Sequence, residues 1–330
     1  MRTLVISGYG VKLKVKNNYI VIHSKDSVKE VAPSEVDSII IATSGVVLTS
    51  KFLRLVSNYG IDLVVVDSRG YPVSRFYHPY ITRTADSRIA QYMSYSNGLC
   101  REVAKSIAYC KLMNQSTYLV RLSRLLRSQE LREAGYSIES LANKALSLSV
   151  DDFHELRKEL MSIEAHGART YWSSVAYVLP SDLKFEGRDQ DGEDQVNMVL
   201  NYGYGIVYPE CWKALVLAGL DPYAGFLHVE RSGKPVLVYD LIEMFRVAAV
   251  DSVLISKFRD GWRAELSDGL LTPKSRGEVI KSIIENLNRR FKCKHSESYM
   301  TLVQWIRHTA LELADALRSG KRPRGFIVRW

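Results

Sequence analysis

Short apolar runs separated by turn residues fill the first 78 residues of the chain. They have the length and β-branched content of strands, and they read TLVIS, VKLKV, YIVIH, DSIIIA, VVLT and IDLVVVD. Apolar and basic side chains alternate in VKLKV, which predicts a strand with one buried face. We expect the first two or three runs to form a hairpin or meander, because Lys16, Asn17 and Asn18 supply a turn before YIVIH.

One helix is expected to interrupt these strands. In SKFLRLVSNYG, the residues Phe52, Leu55 and Val56 recur at helical spacing, and Gly60 stands where helices commonly end. Residues 1–78 are therefore predicted to form a small β-rich domain, a β-sandwich or meander with one short helix. It has no cluster of polar residues, so we assign it a structural or dimerising role.

The pattern changes to a helical period after the polar, proline-containing stretch YHPYITRTA, and residues 79–85 are predicted to be a linker. Across residues 86–330, apolar positions recur mainly at spacings of three and four. One long helix is expected to start near Asp151 or Asp152 and to end before Pro180. The sequence predicts an α+β protein in which the β-rich domain precedes a larger, all-α domain.

Length and charge narrow the classes of function. A chain of 330 residues is long enough for two domains with separate cores. Its formal charge of +9, from 45 Lys and Arg against 36 Asp and Glu, favours anionic partners such as nucleic acid. Basic residues outnumber acidic ones by eleven to six between Arg246 and Lys294, so this excess is strong in the last third.

Hydropathy and cysteine content indicate the compartment. No apolar run reaches the roughly 18 residues of a membrane-spanning helix, and no signal-peptide pattern begins the chain, so we expect a cytoplasmic protein without membrane contact. The four cysteines are far apart and form no CxxC pair, which predicts ordinary thiols in a reducing compartment rather than zinc ligands or disulfides.

A histidine and two carboxylates form the first candidate site. Asp240 and Glu243 are three residues apart, so a helix would place them on roughly the same face, and His228 precedes them. One imidazole with carboxylates suits a divalent ion such as Mn²⁺ or Mg²⁺, and one more ligand would have to come from elsewhere. The alternatives are a packed or capping His228, and a solvated pair or an ion pair of Glu243 with Arg246.

Three runs of sequence resemble a known family. IEAHGARTYW, LNYGYGIVYPECWKALVLAGLDPYAGFLH and VYDLIEMFR follow the order and spacing of the Cas-one family of CRISPR-associated integrases, in an archaeal-like form. The resemblance implies that Glu164, His228 and Glu243 hold Mn²⁺ or Mg²⁺. It also implies that Asp240 is a further catalytic acidic residue beside the metal, which orients a ligand or joins the coordination shell, and it leaves open which of Asp240 and Glu243 binds the metal directly. Spacing alone does not choose between Glu164 and Glu159.

The same resemblance implies an activity and partners. The expected enzyme is a metal-dependent endonuclease and integrase that inserts double-stranded spacer DNA into a CRISPR array, by attack of a 3′-hydroxyl on a phosphodiester at the repeat boundary. A homodimer formed through the β-rich domain and an assembly with the small Cas-two protein are also implied. The alternatives are a non-enzymatic, basic DNA-binding scaffold and a small-molecule metallohydrolase, of which the basic excess disfavours the second.

Basic and aromatic residues are candidates for DNA contacts, since Lys and Arg neutralise phosphates and aromatic rings stack on bases. The candidates are Arg246, Lys257, Arg259, Arg263, Arg289, Arg290, Tyr171 and Tyr202. For the tyrosines, an ordinary place in the core is the alternative. The metal site also requires the helix near residues 151–178 to pack against the segment that ends at Arg246.

Overall fold

The chain divides into two units, residues 1–81 and residues 82–330. The computed structural model describes residues 2–67, 70, 72–76, 84–230 and 232–330. Most of the predicted linker, residues 79–85, therefore lies outside the described residues. Its last two positions already belong to the first helix of the second unit, which begins at Thr84.

Two four-stranded sheets build the first unit. The strands are β1 Arg2–Ile6, β2 Lys12–Lys16, β3 Tyr19–His23, β4 Val28–Val31, β5 Val36–Ile41, β6 Val47–Leu48, β7 Asp62–Val66 and β8 Pro72–Phe76. One sheet has the order β1, β5, β7, β8, in which β1–β5 and β5–β7 pair in parallel and β7–β8 antiparallel. The other has the order β4, β3, β2, β6.

The predicted meander exists, but the first run is not part of it. Strands β2, β3 and β4 form an antiparallel meander. Strand β1 instead pairs in parallel with β5, so that Leu4 lies opposite Ile39. A parallel partner must return from far along the chain. For this reason the run TLVIS could not be assigned its neighbour from local pattern.

The single helix of this unit, α1 (Ser50–Asn58), closes the core shared by the two sheets. The hydroxyl of Thr49 accepts a hydrogen bond from the backbone N–H of Phe52 and so caps the helix. Phe52 and Val56 are fully buried. The helix ends before Gly60, whose φ of +61° suits glycine, as the sequence predicted.

Helices dominate the second unit, which confirms the predicted fold class. They are α2 Thr84–Asn97, α3 Leu99–Leu126, α4 Gln129–Ser147, α5 Phe153–Val178, α6 Gln195–Leu217, α7 Val236–Glu243, α8 Ser252–Arg259, α9 Pro273–Leu287 and α10 Leu302–Ser319. Helix α5 begins as predicted, because the carboxylate of Asp152 accepts the backbone N–H of Glu155 at 2.8 Å. A π-helical turn, Val247–Asp251, precedes α8.

Short strands accompany these helices, which the sequence pattern did not predict. One pair joins β9 (Leu266–Ser267) to β10 (Leu270–Leu271). A second sheet places β11 (Arg290–Cys293) between β12 (Tyr299–Thr301) and β13 (Val328–Arg329). With so few residues each, these strands leave no alternation to recognise.

Helix α3 lies at the centre of the second unit and is joined there to distant parts of the chain. Asn114, which is fully buried, accepts the backbone N–H of Val328 at 2.8 Å. Its side-chain nitrogen lies 2.9 Å from the carbonyl oxygens of both Met244 and Phe326. One polar side chain thus fixes α3 against the segment after α7 and against the strand β13.

The structure also bears on two compositional expectations. Among the described residues, no helix combines the length and apolar character that crossing a bilayer requires. The four cysteines, Cys100, Cys110, Cys211 and Cys293, are buried and carry free thiols, as expected.

Candidate active site

Two of the predicted metal ligands meet at a lysine. Glu164 lies on α5 and Glu243 ends α7. The ammonium of Lys111, from α3, is 3.4 Å from Oε2 of Glu164 and 3.0 Å from Oε2 of Glu243. Arg246 adds a second positive charge, 3.2 Å from Oε1 of Glu243. Helices α5 and α7 are thus connected through Lys111, whereas the sequence analysis expected them to pack directly.

Burial removes the two carboxylates from solvent and so affects their pKa values. Glu164 is 4% exposed and Glu243 is 2% exposed. Burial raises the pKa of Glu164 above its usual range, and this outweighs the charge of Lys111. For Glu243, burial is outweighed by the positive charges of Arg246, Lys111 and His228, which lower its pKa. Glu243 is therefore the stronger acid of the two.

Close packing of α5 against α3 brings Glu164 to Lys111. Gly167 faces Leu112, and a Cβ at position 167 would lie only 2.3 Å from Cδ2 of that leucine. Leu112 is fully buried and has little room to give way. The glycine three residues after Glu164 therefore sets how near the two helices come.

Asp240 holds the third predicted ligand, His228. Its fully buried carboxylate accepts the backbone N–H groups of Phe226, Leu227 and His228 at 2.5, 3.0 and 3.0 Å. It also lies 2.7 Å from Nδ1 of the His228 ring. A hydrogen bond at Nδ1 makes Nε2 the ring nitrogen that can bind a ligand. Asp240 therefore orients His228.

The charge environment of His228 connects it to the carboxylate cluster. Burial lowers the pKa of His228, but the hydrogen bond and charge of Asp240 outweigh burial and raise it. The charges of Glu243 and Glu164 add to the same effect. The side chain is 28% exposed, so the ring can be reached from solvent.

The donor set suits a hard divalent ion, but it is not arranged around one. Within residues 2–67, 70, 72–76, 84–230 and 232–330, no three His, Cys, Asp or Glu side chains form a group that could hold a metal as they stand. A carboxylate cluster with an imidazole nearby is nevertheless typical of Mn²⁺ or Mg²⁺. Oε1 of Glu164 is buried and has no hydrogen-bond partner among the described residues. The Lys111 ammonium lies between the carboxylates of Glu164 and Glu243, at the position where a cation can interact with both.

The predicted aromatic DNA contacts lie in the core. Tyr171 is fully buried, and its hydroxyl donates to Oδ2 of Asp251 at 3.0 Å. Tyr202 is 3% exposed. Neither ring offers a face for stacking as the structure stands, because packing inside the helical unit covers both. The alternative of ordinary core aromatics applies to these two residues.

The predicted basic residues have different surroundings. Arg246 lies at the carboxylate cluster, with its guanidinium 4.7 Å from the ring centre of Tyr204. Arg263 is paired with Asp182 at 2.7 Å. Arg259, near the end of α8, is half-buried, and Arg289 and Arg290 are exposed.

Two of the basic residues predicted to contact DNA, Lys257 and Arg289, line a groove of about 410 Å³. Cationic groups lie over aromatic rings at three places on its wall. The pairs are Lys257 over Trp262 at 4.6 Å, Arg121 over Trp330 at 4.6 Å and Arg289 over Phe291 at 5.9 Å. Lys257 is also 3.4 Å from the carboxylate of Glu278. The groove combines cationic and aromatic groups, a combination that is also found in grooves that bind single-stranded nucleic acid.

A family model described as CRISPR associated protein Cas1 matches residues 4–285. The chain belongs to the Cas1 family. A CRISPR-associated endonuclease Cas1 of Saccharolobus solfataricus is 37% identical over 326 residues, covering 99% of this chain and 98% of the relative. The Cas1 endonuclease of Hyperthermus butylicus is 33% identical over 330 residues, covering 98% of both chains.

Two solved structures share the fold of this chain. A casposase bound to its integration product has a TM-score of 0.83 and 25% sequence identity, covering 99% of this chain and 93% of that chain. A Cas1 protein from Thermotoga maritima has a TM-score of 0.79 and 21% identity, covering 98% and 99%. The family model and the curated relatives confirm the family resemblance inferred from the three sequence runs.

Sequence reasoning missed Lys111, although one signal was present. It is the only charged residue between Lys105 and Arg121, in a helical stretch that is otherwise uncharged. A single charge within a buried helix requires a partner of opposite sign. That rule would have singled out Lys111, but it could not have named Glu164 and Glu243 as its partners.

Proposed function

We propose that this Cas1 chain is a metal-dependent endonuclease and integrase that joins spacer DNA to a CRISPR repeat. One observation carries the proposal. The buried carboxylates of Glu164 and Glu243 both contact Lys111, and they lie near a histidine whose Nδ1 is hydrogen-bonded to Asp240. Family membership adds the chemical context, since the curated relatives are named CRISPR-associated endonucleases.

In this proposal Glu164, Nε2 of His228 and Glu243 hold Mn²⁺ or Mg²⁺. Such an ion, when bound, supplies Lewis-acid polarisation of phosphoryl oxygens and lowers the pKa of an attacking hydroxyl. Asp240 keeps the histidine in the tautomer that has its proton on Nδ1. Lys111 and Arg246 contribute positive charge to the same site, where DNA phosphates would approach.

The reaction is strand transfer. The 3′-oxygen of the spacer forms a bond to phosphorus at the repeat boundary, while the bond between that phosphorus and the 3′-oxygen of the nucleotide preceding the repeat breaks. The attacking hydroxyl loses its proton, and the leaving 3′-oxygen gains one. Attack by water at the same phosphorus would give the endonuclease reaction. The solved casposase bound to an integration product supports this chemistry for the fold.

The substrates and partners follow from the same proposal. They are double-stranded spacer precursor and repeat DNA, a second copy of the chain bound through the β-rich unit, and the Cas2 protein, in the cytoplasm. The net charge of +9 and the exposed Arg289 and Arg290 support DNA binding. Such binding should weaken steeply as salt rises, because bound counterions are released from DNA.

Strand transfer of a short duplex into a repeat-containing plasmid with Mn²⁺ tests the proposal. Glu164→Ala, His228→Ala and Glu243→Ala should each lower the yield by at least about 100-fold, since metal catalysis contributes several kcal/mol. Glu159→Ala is the matched control, because Glu159 is an exposed carboxylate on the same helix as Glu164. Undiminished product from all three site variants would refute the assignment.

A non-enzymatic DNA-binding scaffold is the second candidate. One observation favours it: Lys111 and Arg246 together balance the charge of the two carboxylates. A scaffold would bind DNA equally well with and without EDTA and would give no strand-transfer product with Mn²⁺.

A further inference from the structure

The loop that carries His228 is held by hydrogen bonds to its backbone N–H groups and, separately, to its backbone carbonyl oxygens. His228 lies between α6 and α7, where residues 218–230 form no helix or strand. Asp240 takes the backbone N–H groups of Phe226, Leu227 and His228. That carboxylate can only accept hydrogen bonds, so it leaves the carbonyl oxygens of the loop to other groups.

Arg157 of α5 binds these carbonyl oxygens. Its Nε donates to the carbonyl of Phe226 at 2.7 Å, and its Nη2 donates to that of Gly225 at 3.0 Å. The same guanidinium contacts both carboxylate oxygens of Glu230, at 2.6 and 2.9 Å. It lies 4.2 Å from the ring centre of Phe153, and the side chain is only 8% exposed. A planar fork of donors suits several acceptors at once, which a lysine ammonium does not.

Each of two helices therefore supplies one proposed metal ligand and one group that holds the histidine loop. On α7, Asp240 precedes Glu243 by three residues. On α5, Arg157 precedes Glu164 by seven residues, which is about two turns and roughly 10 Å on the same face. The loop is held through its amides from α7 and through its carbonyls from α5.

We propose that Arg157 is a positioning residue that fixes His228 relative to Glu164. This rests on the proposed function, in which both residues hold the metal. Two other side chains bind this loop. The hydroxyl of Tyr95 also donates to the carbonyl of Gly225, and the amide nitrogen of Gln91 donates to the carbonyls of Asp221 and Ala224 at 2.9 and 2.7 Å, further from the histidine. Arg157 acts on the two residues that lead into Leu227 and His228, where a small displacement moves the imidazole.

Two measurements on the full chain test this role. Hydrogen–deuterium exchange of the segment 225–230, without metal, reports whether the loop is held. Titration calorimetry with Mn²⁺ reports whether His228 is in place. Arg157→Met should speed exchange in this segment and weaken Mn²⁺ binding by about 10 to 100-fold, the usual effect of removing a group that orients a metal ligand. Arg157→Lys should fall between Arg157→Met and the wild type.

Two variants separate this role from simple loss of charge. Lys158→Met removes a positive charge from the neighbouring, exposed position of α5, and should change neither measurement. Glu230→Gln removes the charge of the ion-pair partner but leaves the bonds to Gly225 and Phe226, and should have little effect. If Arg157→Met lowers helix content, the Arg157→Lys variant decides the result.

Unchanged exchange in segment 225–230 for both Arg157 variants would overturn the proposal. Faster exchange with unchanged Mn²⁺ affinity would overturn it as well, since the loop would then be held for another purpose. A wild-type chain that binds no Mn²⁺ would contradict the proposed function instead, whereas the exchange measurement would still report whether Arg157 holds the loop.

Discussion

At the scale of single residues, Lys111 has the largest predicted effect on stability. It lies between two buried carboxylates and is 16% exposed. Lys111→Met should destabilise the metal-free protein by about 3 to 5 kcal/mol, because breaking a buried ion pair leaves uncompensated charge. Mn²⁺ should then stabilise the variant more than the wild type, since the ion replaces the missing ammonium without competition.

Urea denaturation with EDTA and with Mn²⁺ measures both effects. Arg124→Met is the matched control: Arg124 is exposed on the same helix, and its loss should change the unfolding free energy by less than about 0.5 kcal/mol. If Mn²⁺ stabilised Lys111→Met no more than the wild type, the lysine and the metal would not share a site.

His228 predicts a pH dependence of stability in the metal-free protein. Its pKa is raised in the folded state, so its contribution is fully present below its unfolded pKa of about 6.5 and is lost as pH rises through the folded value. The wild type should exceed His228→Gln in unfolding free energy by more at about pH 5.5 than at about pH 9. Denaturation in EDTA measures this, and a difference that does not vary with pH would contradict it.

Residue identities at the site were predicted only in part. Glu164, His228, Asp240 and Glu243 stand in runs that resemble a family, and three of them were given as metal ligands on that ground. The division of labour between Asp240 and Glu243 was left open by the sequence. In the structure the Asp240 carboxylate accepts three backbone N–H groups, a set of contacts that sequence spacing does not encode. These contacts support the proposal that Glu243, rather than Asp240, binds the metal.

At the scale of elements, the contact between α3 and α5 depends on Gly167. Gly167→Ala should destabilise the chain by about 1 to 2 kcal/mol, because overpacking against Leu112 exceeds the gain in helix propensity. Gly277→Ala is the matched control. Gly277 lies exposed in α9 with open space around it, so alanine there should stabilise by up to about 1 kcal/mol. Effects of the same sign at both positions, measured by urea denaturation, would exclude this account.

Elements were predictable where capping and periodicity are local. Helix α5 has its acidic cap at Asp152 and Pro180 just beyond its end, and both features are visible in the sequence. Strand β13 is different, because Val328 pairs with Cys293 across a long separation in the chain. Its two residues carry no period, so only tertiary contacts make them a strand.

At the scale of the whole molecule, the division into a strand-rich and a helical part was predictable, because the hydrophobic period changes from two to nearly four along the chain. The predicted all-α character of the second part holds for its main elements, while small sheets supplement them. The basic excess favoured an anionic partner. Composition alone could not predict that Arg263 is paired with Asp182 while Arg289 and Arg290 are exposed, because pairing depends on which residues the fold brings together.

The hydrogen bond between Asn114 and Val328 joins parts of the chain that are synthesised at different times. Ribosomes make α3 long before its partners: Val328, which donates to the Asn114 side chain, follows it by 214 residues. The helix that carries Lys111 therefore lacks this hydrogen bond until Val328 has been synthesised. If the chain has the proposed function, its strand-transfer site would lack this support until residue 328 has been synthesised.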